Sequence, residues 1–133
     1  MKFLIAIAIA VSMLISGCGH VQTQKAAEWM AKTPASAWGA PPSDFSSAKA
    51  LIQSFMIDPE STRFKFGRPY RNWFETTGGQ FEPHWYVEVL VNSKNRFGGY
   101  TGDKSMFLAY DRNGKLSAIS PEGSERHGWK FID

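Results

Sequence analysis

Trp85-Tyr86-Val87-Glu88-Val89-Leu90-Val91-Asn92 is the most informative stretch of this chain. Trp85, Val87, Val89 and Val91 alternate with Tyr86, Glu88, Leu90 and Asn92. Aromatic and β-branched residues at a period of two predict a strand with one buried face. Met106, Leu108 and Tyr110 repeat the pattern further on. After them, Asp111-Arg112-Asn113-Gly114-Lys115 predicts a hairpin, with Asn113 and Gly114 taking the two positive φ angles of a type I′ turn. Residues 116–119 supply the returning strand. On the N-terminal side, Thr62, Phe64 and Phe66 alternate with Arg63 and Lys65, and residues 70–76 read as a weaker strand closed by Thr77-Gly78-Gly79. The tail, with Trp129, Phe131 and Ile132, covers an edge or adds a short strand.

A helix precedes the strands. Ser43 or Asp44 can cap it, and Phe45, Ala48, Ile52 and Phe55 fall at steps of three and four, with Leu51 and Met56 beside that stripe. Pro59 puts the last helical position at Ile57 or Asp58, because its ring clashes with a helical predecessor. The sequence therefore predicts an α+β domain over residues 43–133: one helix packed on an antiparallel sheet of about five strands. With 133 residues in all there is room for one such domain.

The N-terminus carries an address. Met1-Lys2 is a short positive region, and residues 3–14 are an apolar run too short to hold a bilayer of roughly 30 Å as a stable span. It runs into Leu14-Ile15-Ser16-Gly17-Cys18, which resembles the bacterial lipobox: an aliphatic residue, two small residues beside the scissile bond, and a free thiol to accept diacylglycerol. The expectation is a cleaved leader over residues 1–17. Cys18, the only cysteine, becomes the first mature residue and carries diacylglycerol and N-acyl chains into the membrane. Each buried methylene contributes roughly 0.8 kcal/mol, so two or three chains anchor firmly. The alternative is a type I secretory peptide or an uncleaved anchor, with Cys18 incidental. The lipobox resemblance implies that Gly19, where an aspartate commonly retains lipoproteins in the inner membrane, directs the chain to the outer membrane, with the domain facing the periplasm. Residues 18–42 read as a flexible tether ending in Pro/Ala-rich sequence. Its Trp29 and Trp38 dip into the lipid interface, pack on the domain, or contact a partner.

Composition narrows the function classes. Fifteen Lys and Arg face twelve Asp and Glu. Once Lys2 leaves with the leader, fourteen cations against twelve acids give +2, too little for a protein whose main task is binding nucleic acid. A single cysteine rules out an internal disulfide framework, a CxxC pair and a multi-cysteine zinc site. His20, His84 and His127 have no metal-binding spacing, no serine stands in a GxSxG elbow, and no cofactor is expected. Glu75 and Glu82 flank a Gly-Gly turn and form the bare minimum of a glycosidase pair.

The least generic segment is Asn92-Ser93-Lys94-Asn95-Arg96-Phe97-Gly98-Gly99-Tyr100-Thr101-Gly102. Its glycines permit positive φ or close backbone approach, and Asn92 and Asn95 can bond loop backbone. Lys94, Arg96 and Lys104 around bare glycine N–H groups, beside Tyr100, describe an anion or peptide-backbone site, with Arg63, Lys65, Arg68 and Arg71 as further cations. Together with Asp58-Pro59-Glu60-Ser61 and Phe64, this segment resembles a group of small proteobacterial envelope proteins and lipoproteins. Their signature is Asp-Pro-x-Ser-x-x-Phe followed by Val-Asn-x-Lys-Asn-x-x-Gly-Gly-Tyr-x-Gly. The likeness covers about residues 51–110 and departs at Ser93, where alanine is usual, and at Asp103, often larger or aromatic. It implies fold and address and carries over no catalytic residue. The expectation is a non-enzymatic envelope structural or interaction module with an unknown envelope protein as partner. The alternative is a binder of an anionic envelope polymer, peptidoglycan or lipopolysaccharide, through the loop of Asn92, Lys94, Asn95, Arg96, Gly98, Gly99, Tyr100 and Gly102. An envelope hydrolase is the third class.

Overall fold

Twelve residues, Phe81–Asn92, form the strand about which the rest of the chain is arranged. The computed structural model describes residues 17–121, 123 and 128–132. In chain order these form α1 (Gly17–Lys32), a 3₁₀ turn (Ala35–Trp38), α2 (Ser46–Ser54), a second 3₁₀ turn (Pro59–Ser61), β1 (Arg63–Phe66), β2 (Tyr70–Glu75), β3 (Phe81–Asn92), β4 (Lys104–Tyr110), β5 (Leu116–Ser120) and β6 (Lys130–Phe131). The fold is α+β with one six-stranded antiparallel sheet. Residues 1–16 of the leader, and the side chain of Cys18, lie outside what is described.

The sheet runs β1-β3-β4-β5-β6, and β2 also pairs with β3. Thus β1 and β2 lie end to end along one side of β3. Phe66 pairs with Val89 and Tyr70 with Tyr86, and between them Gly67 N–H still donates to the Glu88 carbonyl at 2.8 Å. β4 lines the other side from Trp85 to Val91. Pro83 stands beyond the end of β4, where a missing N–H breaks no ladder.

Alternation gives each face of the sheet a separate core. On one face Val87, Val89, Leu108 and Ile119 are buried. Phe45, at the start of α2, stacks on Phe66 at 4.5 Å and meets Tyr110 edge-on at 6.1 Å, while Ala48 and Ile52 are buried on the same helix. On the opposite face Phe74, Tyr86, Ala109 and Ala118 form a second cluster, capped by Tyr70 and Trp129. The tail adds the short strand, with Lys130–Phe131 paired to β5, while Trp129 packs on a face of the sheet and not on its edge.

Three local expectations are corrected. The helix ends at Ser54, short of the limit set by Pro59, because its last turn tightens, with Phe55 N–H reaching the Ile52 carbonyl and Met56 N–H the Gln53 carbonyl. Phe55 therefore leaves the stripe and is 54% exposed. At the other end the cap falls on Phe45, while the Asp44 carboxylate accepts the Ser46 N–H at 2.9 Å. The hairpin at Asp111 is present, yet Asn113 has no positive φ; only Gly114 does, at +79°. Asp111 Oδ1 accepts N–H groups from Asn113 and Lys115, which holds a wider turn than type I′.

The tether reading also changes. The chain divides into two compact units, Met1–Pro34 and Ala35–Asp133, so the sheet domain begins at Ala35 and not at Ser43. Within the first unit α1 runs to Lys32, and Thr33 closes it by donating its hydroxyl to the Trp29 carbonyl at 2.6 Å. Within the second, Trp38 is 2% exposed. Its Nε1–H donates to the Asn72 carbonyl and its own carbonyl accepts Trp85 Nε1–H, each at 2.8 Å. Gly39 follows at φ +65°, where a Cβ would overlap the Arg112 carbonyl oxygen.

Candidate functional site

The turn at Asp58–Ser61 and the segment that follows β3 are bonded to each other. Pro59 opens a 3₁₀ turn after Asp58, whose carboxylate accepts the Ser61 N–H at 3.3 Å. The Ser61 hydroxyl donates to the Asp58 carbonyl at 2.8 Å and accepts the Lys94 N–H at 3.0 Å. Ser93, 8% exposed, lies against the same group: its hydroxyl donates to the Asp58 carbonyl at 3.1 Å and sits 3.3 Å from the hydroxyls of Ser61 and Thr62. Tyr100 completes the junction by donating its phenol to the Ser61 carbonyl at 3.0 Å.

Beyond this junction β3 continues as a hairpin, with Lys94 bridging antiparallel to Tyr100. The tip is closed by asparagine. Asn95 Oδ1 accepts N–H groups from Phe97 at 2.9 Å and Gly99 at 3.2 Å, Gly98 N–H reaches the Asn95 carbonyl at 3.0 Å, and Asn95 N–H reaches the Gly99 carbonyl at 2.8 Å. Asn92 Oδ1 accepts Gly102 N–H at 3.1 Å. The glycine N–H groups are therefore already bonded, which corrects the expectation of a bare backbone nest for an anion. Gly98 and Gly102 have positive φ, +82° and +95°, but Gly99 does not.

The cations divide. Arg63 stacks its guanidinium over Tyr100 at 4.1 Å and Lys94 Nζ stands 5.5 Å from the same ring, so Tyr100 gathers two charges. Arg96 is exposed at the tip. Lys65 is neutralised by Asp103 at 3.0 Å. Arg71 lies elsewhere, over the rings of Trp38 and Trp85, Arg68 is exposed in the break between β1 and β2, and Lys104 opens β4. What this surface offers is a cationic–aromatic contact made by side chains. Arg63 was expected as one of four further cations near this loop, but nothing in its spacing distinguished it from Lys65, Arg68 or Arg71 as the one that stacks on Tyr100.

The catalytic candidates separate. Glu75 pairs with Phe81 and Glu82 with Phe74, so the two carboxylates stand at adjacent positions on opposite faces of the sheet, and the glycosidase pair is excluded by register. His84 is buried against Phe74 with Nε2 3.3 Å from the Ser117 hydroxyl, and His127 lies outside the described residues. Burial pushes the His84 imidazole below its ordinary value, against a smaller upward pull from Glu82 and Asp111. Among the described residues no group of His, Cys, Asp and Glu is placed to hold a metal, and no helix is long and apolar enough to cross a membrane. Comparison with family models, with curated proteins and with solved structures finds no match to this chain.

Proposed function

We propose that this chain is an outer-membrane lipoprotein, anchored through acyl chains on Cys18, whose periplasmic domain is a non-enzymatic interaction module of the envelope. The observation that supports it is the use of the polar groups in the family-like segments. Asp58, Ser61, Ser93, Asn92 and Asn95 are all committed to bonds that lock a hairpin onto a turn, and the exposed groups at its end are Arg96, Phe97 and the flanking Tyr100. A surface whose polar atoms serve its own shape presents side chains for contact and holds none poised for proton or acyl transfer.

The test has two arms. Cys18→Ser should accumulate as precursor and fail to label with palmitate; normal maturation of that variant refutes the anchor. A photo-crosslinking residue placed at Arg96 should capture a defined envelope protein in living cells, and the absence of any adduct refutes the module. One observation favours a second reading, a binder of peptidoglycan or lipopolysaccharide: Arg63 and Lys94 converge on Tyr100. That reading requires Arg63→Gln with Lys94→Gln to abolish co-sedimentation with the isolated polymer.

A further inference from the structure

Large apolar side chains are exposed at few places among the described residues: Phe97 at 88%, Ile57 at 69%, Phe55 at 54%, and Phe131 on β6. Isolated exposed apolar residues are ordinary. The first three, however, lie within four residues in sequence of one of the two residues bonded at the Asp58–Ser93 junction. Ile57 directly precedes Asp58, whose carbonyl is bonded to Ser93, and Phe97 stands four residues beyond Ser93, within roughly 14 Å of it along an extended chain. The same junction carries Arg63, Lys94 and Arg96, none of them in an ion pair among the described residues, whereas the nearby Asp103 is taken by Lys65. Asp58 and Glu60 are the opposing charges there, and the Asp58 carboxylate accepts the Ser61 N–H.

The backbone of the tip fits one kind of partner. A segment entering the headgroup region leaves bulk water behind, and each unbonded N–H it carries there is costly. In this tip the N–H groups of Asn95, Phe97, Gly98 and Gly99 are all bonded within the loop, two of them to the Asn95 side chain. Phe97 is thus presented on a turn in which four N–H groups, its own included, are bonded, with Lys94 and Arg96 just ahead of it in the sequence. An aromatic ring at headgroup depth beside Lys and Arg is the chemistry of an anionic bilayer surface.

We infer that the tip of this hairpin, with Ile57 and Phe55 beside its base, docks on the surface of an anionic lipid bilayer. The inference rests on the lipid-anchored reading, because an anchor holds the domain at high effective concentration near the surface and lets a weak contact suffice.

The experiment uses the full chain, processed in the cell and reconstituted in vesicles by its own anchor. Phe97→Cys is labelled with an environment-sensitive fluorophore. Acylation of Cys18 leaves the introduced thiol as the sole target, and labelling of the unsubstituted chain would expose failure of the anchor separately. In vesicles of phosphatidylethanolamine with a quarter phosphatidylglycerol the emission should shift to the blue, and lipid-borne quenchers should reach the probe. Lys94→Gln with Arg96→Gln should lower the docked fraction about tenfold or more, as should replacing the lipids with phosphatidylcholine. Water-like emission in every vesicle overturns the inference. So does a blue shift that follows protein density and ignores lipid charge, which is the mark of a protein partner or a second copy.

Discussion

Trp38→Ala is the most informative single change, because it asks whether the domain begins before Ser43. The indole is 2% exposed. Burying a ring of roughly 150–250 Å² at about 25 cal/mol/Å² contributes about 4–6 kcal/mol. Core substitutions of Trp or Phe by Ala cost about 3–5 kcal/mol. Loss of the bond from Nε1–H to the Asn72 carbonyl adds about 1 kcal/mol. A unit of this size has a stability of about 5–15 kcal/mol, so the variant should sit close to its margin. Its Tm should fall by about 15–30 °C. Urea unfolding of residues 19–133, followed by circular dichroism because the change removes a fluorophore, measures this directly. Two companions sharpen the result. Trp38→Phe keeps most of the area and should lose only about 1–2 kcal/mol, while Phe55→Ala, exposed at the end of α2, should stay within about 0.5 kcal/mol of the parent. A loss below about 1 kcal/mol for Trp38→Ala would refute the assignment of residues 35–42 to the sheet domain.

The remaining predictions concern buried polar groups and the hairpin. Burial depresses the His84 pKa, so the unfolded chain takes up a proton that the folded chain refuses; stability should be full above pH 6.5 and fall as pH drops below it, and His84→Gln should flatten that acid limb in a Tm-versus-pH series. Tyr110 shows the opposite sense: burial pushes its phenol up to about 12, so stability should hold below pH 10 and decline above it, with one tyrosine titrating late by ultraviolet absorbance. Its hydroxyl is buried and makes no hydrogen bond among the described residues, so Tyr110→Phe should leave the protein as stable or add about 1 kcal/mol, and this variant should lose the late titration. Gly98→Val should cost about 1–3 kcal/mol in urea unfolding because φ is +82°, whereas Gly99→Val should be near neutral, its Cβ meeting nothing closer than Asn95 Oδ1 at 3.9 Å. In a double-mutant cycle, Ser61→Ala and Ser93→Ala should couple by about 0.5–2 kcal/mol; additivity would mean that the junction is not a unit.

The central strands were legible because β3, β4 and β5 bury at least one face, and alternation survives in the residues themselves. Val87, Val89 and Leu108 declare a core at a period of two, and Asp111 to Lys115 declares a turn. What the sequence hid was of two kinds. Phe55 continues a helical stripe on paper, but the stripe is broken by a tightened last turn whose carbonyl geometry has no signature in side-chain spacing. Trp38 stands among prolines and alanines that look like a linker, and its burial depends on Asn72 and Trp85, residues far along the chain. The candidate site divides in the same way. Asn92 and Asn95 as backbone acceptors follow from local chemistry, so the loop's shape was readable. The stacking of Arg63 on Tyr100 depends on register and on a fold-back that local patterns do not encode.

The two bonds at Trp38 also decide how the domain bears a load. A pull applied to the chain ahead of Ala35 reaches the sheet domain first through Trp38, whose side chain is fastened to β2 at Asn72 and whose carbonyl is fastened to Trp85 on β3. Force is therefore shared by a strand and its neighbour at one point, and the buried indole must be withdrawn before any ladder bond is strained. β3 in turn is held by β1 and β2 on one side and by β4 on the other. Tension entering there is spread over three partners. Residues 35–39 thus meet such a pull ahead of the sheet, at a point braced on two strands.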